Sequence, residues 1–215
     1  MSYLFTQRAR FPVQLVILSS CHLRRYLFTT PHRPKMMEKA QNVQEAQEKK
    51  EIQEAQVVFA PNPYPTTQRL LFLSGSIDQL PATWQTTIST ALSHLPITIL
   101  NPHRTDWDST WKQDITFPPF KEQVSWELDA MEAADVIAVY FSPTTQAPIT
   151  LLELGLFARS GKCVVGCPEG YWRRGNVQVI CDRFGIKLVG SVGELIEETK
   201  KRLASLDEAT KDALL

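Results

Sequence analysis

Residues 134–166 read ADVIAVYFSPTTQAPITLLELGLFARSGKCVVG, and their order sets the fold. Val136-Ile137-Ala138-Val139-Tyr140-Phe141 is an apolar run of strand length. After Ser142-Pro143-Thr144-Thr145 a helix is expected from about 148 to 159, with Pro148 in its first turn and Ser160-Gly161 as its stop. Cys163-Val164-Val165-Gly166 then supplies a second strand. A strand, a helix and a strand in so short a span make a βαβ unit, whose two strands run parallel.

The same alternation continues on both sides. Towards the N-terminus, Phe120, Val124, Leu128 and Met131 recur at helical spacing and predict a buried stripe on a helix ending near Ala134. Before it, 97–100 reads as a strand closed by Asn101-Pro102, and His103-Arg104-Thr105-Asp106-Trp107-Asp108 follows as a polar and aromatic loop, a candidate lid. A helix near 82–95 is preceded by Leu70-Leu71-Phe72-Leu73, a buried-strand pattern closed by Ser74-Gly75-Ser76. Towards the C-terminus a helix over about 176–184, a strand over 186–189 and an amphipathic helix over 192–206 complete the series. The expected architecture is α/β, a flavodoxin-like or Rossmann-like three-layer sandwich around a five-stranded parallel sheet, with its ligand beyond the carboxyl ends of the strands.

Ahead of this domain, expected over 67–210, lie two segments of different composition. Residues 38–56 are rich in Glu, Gln, Lys and Ala and predict a solvated helix leading into a linker to 66, where Val57-Val58-Phe59-Ala60 offers a short edge strand before Pro61, Pro63 and Pro65. The first 37 residues carry six Arg and Lys and no Asp or Glu. That is the composition of a mitochondrial presequence; the alternatives are a plain upstream extension or a start at Met36 or Met37, with the protein cytoplasmic. The run from Val13 to Leu18 is too short to span a membrane.

With 23 basic and 23 acidic residues interspersed, the chain advertises no face for a nucleic-acid polymer or an anionic membrane, so a small-molecule partner is expected. Cys21, Cys163, Cys167 and Cys181 lack the paired spacing of a zinc or redox motif and read as reduced intracellular thiols. No G-x-G-x-x-G follows the first strand and no G-K-[ST] loop occurs, which removes the dinucleotide and P-loop readings.

The loops at the strand ends bring together Gly75, Ser76, Ile77 and Asp78, the segment from Asn101 to Asp108, and the segment from Ser142 to Glu153. Glu153 has Ile149, Thr150, Leu156 and Phe157 three and four positions away. Periodicity leaves two readings: a carboxylate dried and raised in pKa by apolar company, hence a usable nucleophile, or one that turns to solvent. Glu127 flanks the stripe of the preceding helix, at the border of its buried face where it could face a pocket mouth, while Asp129 is on another side; both also read as ordinary helix-surface charge. His103, Asp106 and Asp108 make a weak metal set and read better as turn-capping residues.

These residues carry a family pattern. Leu71 to Ile77, Asn101-Pro102 with Trp107-Asp108, Gln123-Val124-Ser125-Trp126-Glu127-Leu128, Ala134-Asp135 before a strand, and Leu152-Glu153-Leu154-Gly155 resemble the nucleoside 2-deoxyribosyltransferases, chiefly their divergent microbial and fungal branch. The scaffold is also similar to that of the deoxynucleoside monophosphate N-glycosidases. The resemblance covers most of 58–206.

It implies that Glu153 attacks C1′ of the deoxyribose, expels the base and forms a covalent sugar ester, with Glu127 in the place of the family's sugar-positioning carboxylate, usually aspartate. Two carboxyl groups roughly 5 Å apart suit such a retaining transfer. A new base as acceptor gives transfer, and water gives hydrolysis. It further implies Gly75, Ser76, Asn101, Asp106, Trp107, Asp108, Gln123, Trp126, Pro143 and Gly155 around the substrate, no metal or organic cofactor, and a homo-oligomer. Trp107, Trp84 and Trp126 are stacking or wall candidates, with core packing the alternative for Trp84.

The chain departs from the pattern at two places. Ala147 stands six residues before Glu153, where the transferases often have an acid, so base protonation falls to Asp106, to Asp108 or to another source. Asp78 stands where the monophosphate hydrolases have arginine, and it would repel a phosphate, so an unphosphorylated nucleoside is the expected substrate, with a free base as the second reactant. The rivals are an N-glycoside hydrolase on another ribosyl compound, separated by product analysis, and an inactive nucleoside-binding domain, separated by binding without conversion.

Overall fold

Strand β2 (Arg69–Gly75) is the sheet's organising element because it is apolar on both faces. Leu71, Phe72 and Leu73 are each fully buried. The continuous apolar run thus resolves into the ordinary alternation of a strand, with successive side chains passing to opposite helix layers. The computed structural model describes residues 54–76, 83–104, 106–108 and 110–212. The basic extension over 1–37, most of the helix expected over 38–56, and Ile77 and Asp78 lie outside the described residues.

Six strands form one parallel sheet in the order β1-β3-β2-β4-β5-β6. The others are β1 (Gln56–Phe59), β3 (Ile97–Asn101), β4 (Val136–Tyr140), β5 (Cys163–Gly166) and β6 (Lys187–Val189). The five expected strands are present, and the sixth is β1, the edge strand offered by Val57-Val58-Phe59, which pairs with β3 from Gln56↔Thr98 to Phe59↔Asn101. Without β1 the order is that of a flavodoxin-like sheet, whose ligand crevice opens where the winding reverses. Here that point lies between β2 and β4, paired from Leu71↔Val136 to Gly75↔Tyr140.

Helices α2 (Pro118–Ala133), α3 (Pro148–Phe157) and α4 (Arg174–Phe184) cover one face, and α1 (Trp84–Ala91) and α5 (Val192–Asp212) the other. On the first face Leu70, Phe72, Ile137 and Val139 meet Trp126, Met131, Leu154 and Val177. On the second Leu71, Leu73, Val136 and Ala138 meet Trp84, Ile88, Leu195 and Leu203. Each fully buried side chain of this size contributes about 1.5–3 kcal/mol.

The ends of the elements are chemically marked. Thr83 caps α1 through its hydroxyl, which accepts from Thr86 N at 3.2 Å. At the start of α5 the Glu194 carboxylate accepts from Gly190 N at 2.7 Å while Ser191 Oγ accepts from Glu194 N at 3.2 Å. Gly161, after a short 3₁₀ turn Ala158–Ser160, takes the left-handed conformation (φ 71°) that ends the α3 segment. The Ala134-Asp135 pair fastens β2 to its surroundings, since Asp135 accepts Leu70 N at 2.8 Å and pairs with Arg69 at 3.1 Å, and Arg69 reaches Asp207 of α5 at 3.1 Å.

One expectation about α2 is corrected. Of its predicted stripe only Met131 is buried; Phe120 and Val124 are half-buried and Leu128 is 38 % exposed. Trp126 takes the sheet-facing position instead, packed against Phe72 and Tyr64 with its indole N–H on Asn62 O at 2.9 Å. Its volume turns the helix so that Gln123 and Ala130 go inward with it. Burial pushes the Cys163 and Cys167 thiols up to about 11 and Cys181 up to about 12, which keeps them protonated. No helix among the described residues is long and apolar enough to cross a membrane.

Candidate active site

The carboxyl ends of β2, β3 and β4 open towards the layer of α2, α3 and α4, and two carboxyl groups meet there. Glu153 lies on the second turn of α3. Its Oε2 accepts the hydroxyl of Ser74 at 2.6 Å. Ser74 is buried and alternates with Phe72 along β2, which aims its side chain at this layer. Burial, the larger cause, raises the Glu153 carboxyl to about 7; the Ser74 hydrogen bond draws it down and the neighbouring Glu127 charge raises it.

Glu127 comes from α2. Burial raises its carboxyl above the ordinary range, while Gln123 Nε2, donating to Glu127 Oε1 at 2.9 Å, works the other way. The same amide nitrogen donates to Pro102 O at 2.8 Å and so connects the carboxylate to the base of the lid loop. With its nitrogen held by two acceptors, Gln123 Oε1 is buried and has no donor among the described residues. It is a buried acceptor on the side chain that holds Glu127. Asn101 closes β3 and holds the loop's first turn by accepting His103 N at 3.0 Å.

The neighbours of Glu153 on its own helix divide between solvent and core. Ile149 and Leu156 are 60 % and 58 % exposed, whereas Thr150 and Leu154 face the core. Glu153 is half-buried, on the flank of α3 that it shares with buried Thr150 and half-buried Phe157, and its carboxyl group is turned towards Ser74 of the sheet. Ala147, six residues before Glu153, holds the left-handed conformation (φ 43°) as the N-cap of α3. The preceding peptide is pinned: Gln146 O accepts Tyr171 OH at 2.8 Å and Trp172 Nε1 at 3.0 Å.

The other candidates separate into groups. Gly75 is needed for close approach, because a Cβ there would stand 2.6 Å from Tyr140 O and from the Trp84 ring. Ser76 is buried and committed within the protein: its Oγ accepts Ser142 N at 2.9 Å and Thr145 Oγ1 at 2.6 Å, and its carbonyl accepts Trp84 Nε1 at 2.9 Å. Trp84 packs on Tyr140 and Trp126 on Phe72, so both indoles belong to the core rather than to a stacking surface. Pro143 is exposed in the loop before α3. Gly155 lies on the opposite flank of α3 from Glu153, where a groove of about 290 Å³ runs between α3 and α4, lined by Leu151, Leu154, Arg173, Val177 and Ile180.

In the lid, Trp107 is 42 % exposed and packs on Trp111, with ring centres 5.1 Å apart. Arg104 lies over Trp111 and bridges Asp106 at 2.7 Å and Glu122 of α2 at 3.0 Å, which ties the lid to that helix. Arg104 holds the Asp106 carboxyl below its ordinary range, and Thr110 N and its hydroxyl do the same for Asp108. Both are thereby kept as anions, which suits neither to donate a proton to a base. No cluster of His, Cys, Asp and Glu able to hold a metal occurs among the described residues. Ser74, Arg104 and Trp172 received no role from sequence reasoning; only Ser74 gave a signal, as a hydroxyl at the end of an apolar run.

The family model described as nucleoside 2-deoxyribosyltransferase like matches residues 68–171, a span holding both carboxylates, Gln123 and Ser74. Among solved structures, a conserved protein from Enterococcus faecalis V583 is similar at 13 % identity and a TM-score of 0.42, over 63 % of this chain and 99 % of that one. No curated protein matches the chain.

Proposed function

Because residues 68–171 match the family model described as nucleoside 2-deoxyribosyltransferase like, we propose that the chain is a nucleoside-modifying enzyme that moves 2-deoxyribose between bases through an ester on Glu153. The observation that carries this reading is the half-buried, hydroxyl-held Glu153 carboxyl, raised by burial, near a second raised carboxyl, Glu127. In the first stage a Glu153 oxygen bonds to C1′ as the C1′–N bond breaks, and its electron pair leaves with the base, which takes a proton from solvent. In the second, the nitrogen of a new base attacks C1′, the ester C–O bond breaks, and its pair returns to the carboxylate. The incoming nitrogen's proton passes to solvent. Glu127 orients the sugar hydroxyls, and Gln123 holds Glu127 in place through Nε2.

The test is chromatography of thymidine, deoxyinosine and deoxyadenosine, each incubated with a foreign free base. A new deoxynucleoside supports transfer. Free base alone moves the reading to hydrolysis, and thermal stabilisation by nucleosides without conversion moves it to a binding domain.

The exposed flank of α3 supports a homo-oligomer as part of the same proposal. Ile149, Leu152 and Leu156, at 60, 59 and 58 % exposure, fall on one face at helical spacing, an apolar stripe of the kind that a second subunit covers. Light scattering is expected to give at least a dimer mass, and Leu152→Glu with Leu156→Glu to reduce it to the monomer. A monomeric parent chain would contradict this.

A further inference from the structure

We propose that Ser74 is a positioning residue for Glu153, delivering from the sheet the hydroxyl that fixes one carboxylate oxygen and leaves the other free to bond to C1′. This rests on the reading of Glu153 as nucleophile. Ser74 is 1 % exposed and is next to last in β2, a central strand flanked by β3 and β4, with Ser74 itself paired to Val139. Its backbone is held in the ladder and its side chain has one place to go. The 2.6 Å separation is in the range of a charge-assisted O–H···O⁻ bond. No other hydrogen bond reaches the Glu153 carboxyl among the described residues, so Oε2 is held and Oε1 is the oxygen open to the substrate.

The hydroxyl stays attached to Oε2 through both stages and transfers no proton. It holds weakly while Oε2 is an ester carbonyl and strongly once the C–O pair has returned to the carboxylate, so it favours breakdown of the ester. It also favours the anion in the free protein. Among the described residues, the groups facing Glu153 are Ser74 from β2 and Glu127 from α2; α3 brings no ionisable side chain besides Glu153. The cationic side chain of the lid, Arg104, is engaged with Asp106 and Glu122. Among the described residues Ser74 is therefore the group that offsets burial and the Glu127 charge.

The test is a carbon-13 NMR titration of glutamate side-chain carboxyls in the full chain, with Glu153 assigned by its loss in Glu153→Gln. Ser74→Ala is expected to raise the Glu153 midpoint by about one to two pH units, as a lost hydrogen bond to a charged group would. Ser74→Thr, which restores the hydroxyl, is expected to return it. An unmoved midpoint in folded Ser74→Ala overturns the proposal; if that variant does not fold, Ser74→Cys, a weaker donor of similar size, is read the same way. The readout is independent of turnover. A shifted midpoint in a chain that converts no nucleoside keeps the Ser74–Glu153 coupling and removes the transferase reading. Turnover with an unmoved midpoint removes Ser74 alone. Where turnover occurs, the acidic limb of kcat/KM moves with the midpoint, which a merely structural serine would not cause.

Discussion

Glu153→Gln is expected to lower nucleoside conversion by a factor on the order of 10⁴, for transfer and hydrolysis alike. Glutamine has the shape of the carboxylate and can still accept the Ser74 hydroxyl, so the site keeps its geometry; what disappears is the oxygen that bonds to C1′. Both products descend from one ester, so both fall together. Glu127 is no substitute, because it is held on α2 by Gln123, whose nitrogen is also engaged with Pro102 O. Chromatography of thymidine with a foreign base, parent against variant at equal concentration, measures the loss. A variant keeping more than a few per cent of the parent rate would show that the sugar never bonds to Glu153.

The sheet was the most legible part of this chain, because a strand covered on both faces must be apolar along its whole length. Leu70 to Leu73 and Val136 to Tyr140 therefore stand out against any helix pattern. The phase of α2 was less legible. A stripe through Phe120, Val124, Leu128 and Met131 satisfies the helical period as well as one through Gln123, Trp126 and Ala130, and only the space above Phe72, which Trp126 fills, selects between them. The same selection decides what Glu127 and Gln123 face.

At the site itself, periodicity placed Glu153 on a helix among apolar neighbours but could not say what dries it. In the structure two of those neighbours, Ile149 and Leu156, turn outward, Thr150 and Phe157 turn inward, and Ser74 of β2 meets the carboxyl group. Ser74 was hidden for a related reason: whether a strand serine meets a helix carboxylate depends on which helix layer lies on its face, a long-range property absent from local spacing. The lid acids show the converse. Asp106 and Asp108 looked available as proton donors, yet Arg104 two residues away and Thr110 two residues on hold them as anions.

The same substitution that ends turnover is expected to stabilise the fold, and increasingly so as pH rises from the ordinary carboxyl range to neutrality. The Glu153 carboxyl has an ordinary value of 4.5 and is raised to about 7 in the folded chain. Between those values the folded chain holds a proton that the unfolded chain has lost, so stability falls as pH rises through this window. Below it both states are protonated and no penalty exists; above it the full penalty of a buried charge is present. Glutamine is neutral throughout and never incurs that penalty. The advantage of Glu153→Gln should therefore be near zero at pH 4, grow through pH 5 to 7, and level off at roughly 2–3 kcal/mol by pH 8. For a chain of this length that is a melting-temperature gain of about 5–10 °C. Thermal melts of both proteins across this range measure it. A gain of equal size at pH 4 and pH 8 would mean that packing, and not charge, separates them, and that Glu153 is not strained in its ionised form. A gain confined to high pH would show that the chain carries an unfavourable anion at the one position where a nucleophile would use it.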